Sequence, residues 1–396
     1  MKRIFELFVL IQIFLCSHSV TWNLWLTDRA AQILFLFSSF LLFYQRSTKN
    51  NTHSIQFKKN LWISGGVTVW VLLNVLLFNT DIVDMSYLII ITYSISMMFI
   101  ISAYDFYEFR EKVRKVLCFV LVVSIIVQVL RDFGILIPKA LTTLNGEEFN
   151  FCLGLINTDW GYMFGMHKLS SIYGEPGQLQ IVVFFILCLF IDELLLIDRW
   201  KINIKKFSVL LLGLIMTFST MAYLMIGFLV AIICFKSNVL RKNKYLFPVY
   251  ALIAGCGLYA IILSPIVQNK INGVDYEGNQ NLSFEVRMAD NLALLEMTKD
   301  NPIVGVGVET KTFSKLKFAL GSKTDSNGWL RASAQLGIPY VLSLFFFIYA
   351  GIKKMRFRLQ ALYVLLLLII TQCNEPYYFC PYIYMFVYSY RTYKKI

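Results

Sequence analysis

What most constrains this chain is a succession of apolar runs, most of them about twenty residues long, separated by short polar stretches. The runs cover residues 4–20, 30–44, 61–78, 85–104, 116–130, 178–197, 207–235, 245–263, 336–352, 359–372 and 381–390. In lipid a backbone must satisfy its own hydrogen bonds, so runs of this length predict membrane-spanning helices. Hydrophobic residues make up 58% of the chain and charged ones 15%, more apolar surface than a soluble globule of this size can hide. The fold class predicted is an all-α polytopic membrane protein, one integral membrane domain over residues 1–396. The first run, behind Lys2 and Arg3, has the outline of a secretion signal, but a second run follows too soon for a mature soluble domain. It therefore reads as the first span. The run at 207–235 is too long for one ordinary span and carries the polar turn Thr217-Phe-Ser-Thr220, so it reads as two short helices, which brings the number of spans to about twelve. One strongly tilted span is the alternative, and it would invert everything downstream.

Charge placement sets the topology. With twelve spans and both termini cytoplasmic, the stretches at 2–3, 45–60, 105–115, 198–206, 236–244, 353–358 and 391–395 share one face and hold most of the 37 Lys and Arg residues. The positive-inside rule makes that face cytoplasmic, so the net charge of +13 reflects topology and implies no nucleic acid. Two larger loops then lie outside the cytoplasm, at 131–175 and 264–334. Of the eight cysteines, Cys16, Cys118, Cys188, Cys234 and Cys256 sit in apolar runs without CxxC spacing. Only Cys152, Cys373 and Cys380 are placed to meet outside the membrane. The outer loops hold no DxD-like metal motif, so neither a metal nor another cofactor is expected.

The first loop ends in Lys168-Leu-Ser-Ser-Ile-Tyr-Gly-Glu-Pro-Gly-Gln-Leu-Gln180, a polar turn set directly on an apolar run. Gly174 and Gly177 give the backbone freedom, Pro176 suits the first turn of a helix, and Glu175 stands beside that helix start. A carboxylate and free N–H groups thus meet at one membrane surface, with Lys168 and the titratable His167 nearby. The alternative is that Glu175 only caps the helix and Lys168 only anchors at headgroups. In the second loop Ser283 is placed to cap a helix from 284 to about 299, lying along the membrane surface. Met288, Leu292 and Leu295 make its apolar stripe, with Arg287, Asp290 and Asn291 off it. Arg287 either serves a site or pairs with Asp290 and solubilises the helix. Asn301-Pro302 ends the helix, and Gly305-Val-Gly307 follows as a flexible turn that lacks the third glycine of a dinucleotide site.

Together these stretches resemble the bacterial O-antigen polymerase and ligase family. Residues 168–177 are similar to its Arg-x-x-Gly-x-aromatic-x-Glu-Pro motif, with Tyr173 as the aromatic residue. Arg287 with Asn301-Pro-Ile-Val-Gly-Val-Gly307 resembles its Arg, helix, x-Pro-Leu-x-Gly-x-Gly segment. Asp325-Ser-Asn-Gly-Trp-Leu330 with Gln335-Leu-Gly-Ile338 resembles its His-Asn-x-x-Leu, Glu-x-Gly ending, and Thr217-Phe-Ser-Thr-Met-Ala-Tyr223 its Thr-x-Ser-Arg turn. The matched stretches span 168–338, and the N-terminal half matches in hydropathy alone. Lys168 replaces the family's Arg, Ser171 its Gly, Thr220 the Arg of the turn, and Ser326 the His that ligases commonly carry before Asn327. That last departure argues against a ligase.

The resemblance implies a GT-C-like, metal-independent glycosyltransferase in the bacterial inner membrane. It would join oligosaccharide repeat units carried on undecaprenyl diphosphate into O-antigen, capsular or exopolysaccharide, by inverting transfer on the outer face. A ligase moving finished glycan to lipid or protein, and a lipid-linked oligosaccharide flippase, are the alternatives. A flippase more typically carries charges within its helices and repeats between halves. The partners implied are the lipid-linked oligosaccharide and the bilayer, with a chain-length regulator and a flippase alongside. Arg287, with Lys168 and the helix start at Pro176, is the expected counter-charge for the leaving diphosphate. Glu175 is the first choice to receive the acceptor proton and His167 the second. Tyr173, Gly174, Gly305, Gly307 and Asn327 complete the expected substrate site. A carboxylate at a helix start tends to titrate low, which favours an orienting role for Glu175.

Overall fold

The computed structural model describes residues 2–47, 54–78, 85–158, 162–163, 166–194, 200–236, 283–308, 310–322, 327–355, 361–374 and 378–390. The expected span at 245–263, the opening of the second loop at 264–282, Trp160, Asp325 and Ser326 lie outside the described residues.

The apolar runs fold as helices, and the chain is mostly helical. In order come α1 (Lys2–Leu15), α2 (Asp28–Ser47), α3 (Ser54–Leu77), α4 (Met85–Ala103) and α5 (Phe106–Asp132). After the first loop follow α6 (Pro176–Cys188), the short α7 (Ile191–Leu194), α8 (Trp200–Met216) and α9 (Thr220–Lys236). The C-terminal part adds α10 (Ser283–Asp300), α11 (Thr310–Ala319), α12 (Gly328–Leu336), α13 (Ile338–Lys354), α14 (Ala361–Thr371) and α15 (Pro381–Val387). Among the described residues, Gln56–Leu77 and Phe106–Asp132 are long and apolar enough to cross a membrane, and four shorter apolar helices accompany them. The long run at 207–235 is two helices, as its polar middle suggests. Thr217 Oγ1 donates to Leu214 O, Phe218 takes a left-handed φ of 46°, and the chain restarts at Thr220.

Helix α6 is the axis of the molecule. Every side chain from Gln178 to Ile191 is buried, with α5, α8, α9, α14 and α15 packed around it. Such all-round burial accounts for a helix that is apolar on every face.

The first loop departs from the all-α fold class, because it folds into small antiparallel sheets. Strands β1 (Lys139–Thr142), β2 (Glu148–Cys152) and β3 (Ile156–Asn157) pair in sequence order, and β4 (Tyr162–Met163) pairs with β5 (Met166–His167). Asn145-Gly146 supplies the β1–β2 turn: Gly146 N donates to Thr143 O at 2.9 Å, and Gly146 takes the left-handed φ of 86° that closes a three-residue hairpin loop. The hairpin tip is tied to the α1–α2 connection by Leu144 N donating to Asn23 O at 2.8 Å. The cysteines expected to meet do not pair: Cys152, Cys373 and Cys380 are all free.

Candidate active site at the start of α6

Glu175 occupies the N-cap of α6 in extended backbone, with Pro176 at the first helical position, as its sequence predicts. Its side chain makes no capping hydrogen bond, however, so simple capping does not describe it. The preceding turn is held from several directions. Asn157 Nδ2 donates to Tyr173 O at 2.9 Å and to Gly174 O at 3.1 Å, while Gly174 N donates to Gln178 Oε1 at 3.1 Å. Ser171 takes a left-handed φ of 61°, and its Oγ lies 2.6 Å from Ser124 Oγ. A left-handed backbone is what a glycine would accept freely, which explains why serine can stand where the resembled motif has glycine only with a hydrogen bond to hold it. Tyr173 is fully buried, and its hydroxyl has no hydrogen-bond partner among the described residues.

The side chain of Glu175 is open to solvent, yet protein crowds it closely enough for lost hydration to dominate its titration. That desolvation raises its pKa, and the charge of Arg287 offsets part of the rise. The direction corrects the expectation from the helix start alone. Glu175 is a stronger proton acceptor than an ordinary glutamate. The same interaction locates Arg287: α10 brings it into the electrostatic field of Glu175, across more than a hundred residues of sequence.

Helix α10 runs from Ser283 to Asp300, as Ser283 and Asn301-Pro302 suggest. Ala293, Leu294 and Met297 pack inward, with buried Asp290 accepting a hydrogen bond from Ser322 Oγ. Met288, Leu292 and Leu295 are exposed. Arg287 is also exposed, whereas Asp290 is turned inward to Ser322.

The other candidates divide into two groups. Lys168 is half-buried without an ion-pair partner among the described residues, and burial lowers its pKa. Its neighbour Leu169 donates from N to Met216 O at 2.9 Å, docking this strand on the α8–α9 break. His167 is buried and bound to a residue the sequence reading passed over: its Nδ1 lies 2.5 Å from Asp132 Oδ1, at the end of α5. Gln128 Nε2 donates to the same oxygen at 3.2 Å. Nothing in the local sequence pairs Asp132 with His167, because the contact closes a loop of 35 residues.

Gly305, Gly307 and Asn327 have structural tasks. Val306 N donates to Ala334 O at 2.8 Å and Gly307 N to Gln335 O at 3.1 Å, which stitches the turn after α10 to the end of α12. A Cβ on Gly305 would lie 2.4 Å from the Gln335 carbonyl carbon. The amide groups of 305–308 are all donated inside the protein, with Val308 N reaching Tyr87 Oη at 3.0 Å. This arrangement suits close packing more than a phosphate cradle. The Asn327 side chain caps α12, accepting from Leu330 N at 3.2 Å.

Among the described residues no group of His, Cys, Asp or Glu is placed to hold a metal ion. The fold and site define a mostly helical protein with membrane-like apolar helices and, at one end of its central helix, a carboxylate that feels the charge of an arginine from the second loop. Residues 207–339 match the family model described as O-antigen ligase, a match consistent with the O-antigen polymerase and ligase family. The matched segment takes in Arg287, Gly305, Gly307 and Asn327, and begins after the Glu175 turn. No curated protein matches the chain.

Proposed function

We propose that this protein polymerises oligosaccharide repeat units carried on undecaprenyl diphosphate, at the extracytoplasmic face of a bacterial inner membrane. What supports this reading is the charge of Arg287, from the second loop, acting on the partly desolvated carboxylate of Glu175 at the end of the first. An acceptor hydroxyl attacks the anomeric carbon of the donor glycan as the bond to the carrier diphosphate breaks, with inversion. Glu175 receives the hydroxyl proton, helped by the raised basicity that desolvation gives it. The bonding electrons leave on the diphosphate, whose charge Arg287 and Lys168 oppose. His167, fixed by Asp132, stands in reserve as the second candidate base. Tyr173, Gly174 and Pro176 shape the floor on which the reacting groups rest, while Gly305, Gly307 and Asn327 keep the second loop in place.

Twelve spans with both termini cytoplasmic fit this reading, and they leave residues 131–175 and 264–334 outside. The description of the matched domain as a ligase supports a second reading, transfer of finished glycan to another acceptor. A chain-length regulator and a flippase are the partners a polymerase would need. One experiment separates the readings. Cells carrying Glu175→Gln should accumulate single repeat units on the carrier at the outer face, with little long polymer. Long chains still on the carrier would mean a ligase, and units trapped on the cytoplasmic side a flippase.

A further inference from the structure

The arginines of α5 are treated unequally. Arg110 bridges Asp192 and Glu193, and Arg114 pairs with Glu111 at 3.0 Å. Arg131, in the last turn of the helix, has no ion-pair partner among the described residues. It is half-buried, and its Nη1 is shut from solvent with no acceptor among those residues. The carboxylate next to it in sequence is already engaged, because Asp132 Oδ1 lies 2.5 Å from His167 Nδ1 and accepts from Gln128 Nε2 at 3.2 Å. Gln128 is fully buried, and its Oε1 accepts no hydrogen bond among the described residues. Residues three apart on a helix are neighbours, so one turn of α5 holds an unpaired donor and an unpaired acceptor that do not satisfy each other. Stability alone would select against both, which marks them for use.

Two contacts fix where this turn lies. Ser124 Oγ is 2.6 Å from Ser171 Oγ, and Asp132 holds His167, so residues 167–171 run antiparallel along the last turns of α5. Gln128 stands midway, one turn from each, since residues 124, 128 and 132 share a face. The segment leads within four residues to Glu175. Its own Lys168 is likewise half-buried without an ion-pair partner among the described residues.

We propose that Arg131 and Gln128 bind an acidic sugar of the lipid-linked glycan, Arg131 donating to its carboxylate and Gln128 Oε1 accepting from a ring hydroxyl beside it. The inference rests on the functional reading above, since that reading brings a glycan to the Glu175 turn. A guanidinium without a carboxylate of its own suits an oxyanion, to which it offers paired N–H groups. The acceptor decides which oxyanion. A phosphodiester group satisfies Arg131 but has no proton for Gln128, whereas a hexuronic acid holds a carboxylate and hydroxyls at fixed separation on one ring. Both residues lie in the half of the chain that resembles the family in hydropathy alone.

The test is binding of methyl glucuronide, against methyl glucoside, to the full chain in phosphatidylcholine nanodiscs. The wild type should prefer the glucuronide by about tenfold or more. Arg131→Gln should abolish that preference and Arg131→Lys should keep part of it, with the melting temperature unchanged in both. Gln128→Leu should weaken both sugars roughly fivefold and keep the preference. No preference in the wild type, or the wild-type preference in Arg131→Gln, would overturn the proposal. Equal losses in Arg131→Lys and Arg131→Gln with a lowered melting temperature would also overturn it, by marking a structural role. Weaker binding of undecaprenyl diphosphate to Arg131→Gln, by as much as the glucuronide loses, would assign the oxyanion to the carrier. Displacement of the glucuronide by short-chain phosphatidylglycerol, but not by short-chain phosphatidylcholine, would assign it to a headgroup. Either result overturns the sugar assignment. The functional reading is scored apart, by the lipid-linked species that accumulates in Glu175→Gln cells, so each can fail alone.

Discussion

Helix α5 joins two regions of the molecule that treat charge in opposite ways. At the Glu6 end, charged side chains neutralise one another. Arg46 donates to Glu6 at 2.6 Å and to Glu108 at 2.7 Å, and Lys112 Nζ lies 2.6 Å from Glu6 Oε1. Beside them buried Arg110 bridges Asp192 and Glu193, both at 2.7 Å, and Lys206 bridges Glu193 and Glu111. These pairs tie α1, α2, α5, α7 and α8 together. At the other end, about 40 Å along α5, Glu175, Arg287 and Lys168 form no direct ion pair among the described residues. Saturated charges hold helices in register. Charges left without a close partner keep their hydrogen-bonding capacity for something that arrives, which is why the Glu175 end is read as the site.

Substitutions at the two ends should therefore fail in different ways. The largest effect on stability is expected for Arg110→Ala, which empties a buried site and leaves half-buried Asp192 without its ion-pair partner while Glu193 keeps Lys206, and it should cost about 2–4 kcal/mol. A thermal melt in detergent should show the loss, with activity per folded molecule retained. Arg287→Ala should do the reverse: polymer falls by about a hundredfold or more while the melting temperature stays put. Normal polymer in that variant would remove Arg287 from the site. A smaller effect tests the turn itself. Ser171→Val, which places a β-branched residue at a left-handed φ and deletes the hydroxyl contact to Ser124, should destabilise by roughly 1–3 kcal/mol, whereas Ser171→Gly should stay within about 1 kcal/mol of the wild type. Equal behaviour of the two variants would mean that backbone strain at Ser171 has no cost.

Much of this division was legible in the sequence, and what was not has a common cause. Hydropathy runs marked the helices, the polar residues at 217–220 marked the break between α8 and α9, and Glu175-Pro176 marked the start of α6. These signals are local, so a linear reading finds them. Asp132 with His167, Asn157 with the carbonyls of Tyr173 and Gly174, and Ser19 bridged to Tyr173 are contacts between separate segments of the chain. No spacing encodes them. The titration of Glu175 failed for a related reason: a helix start lowers a carboxylate's pKa through its own first turn, but the desolvation that wins comes from the neighbours folded around it. On α10 a second, packed face built from Ala293, Leu294, Met297 and buried Asp290 lies beside the exposed apolar stripe, and no local pattern marked it.

The central claim is that Glu175 and Arg287 act as one electrostatic unit, and the pH dependence of turnover by purified protein tests it most directly. Desolvation raises the Glu175 pKa, so activity that needs its carboxylate should be lost on acidification at a higher pH than for an ordinary glutamate. Arg287 acts in the opposite direction, by favouring the ionised form. Removing its charge in Arg287→Gln should leave the carboxylate harder to ionise, and the acid limb of the residual activity should move to still higher pH; in Glu175→Gln that limb should disappear. An acid limb at the same pH in the wild type and Arg287→Gln would contradict the account, as would one that survives in Glu175→Gln.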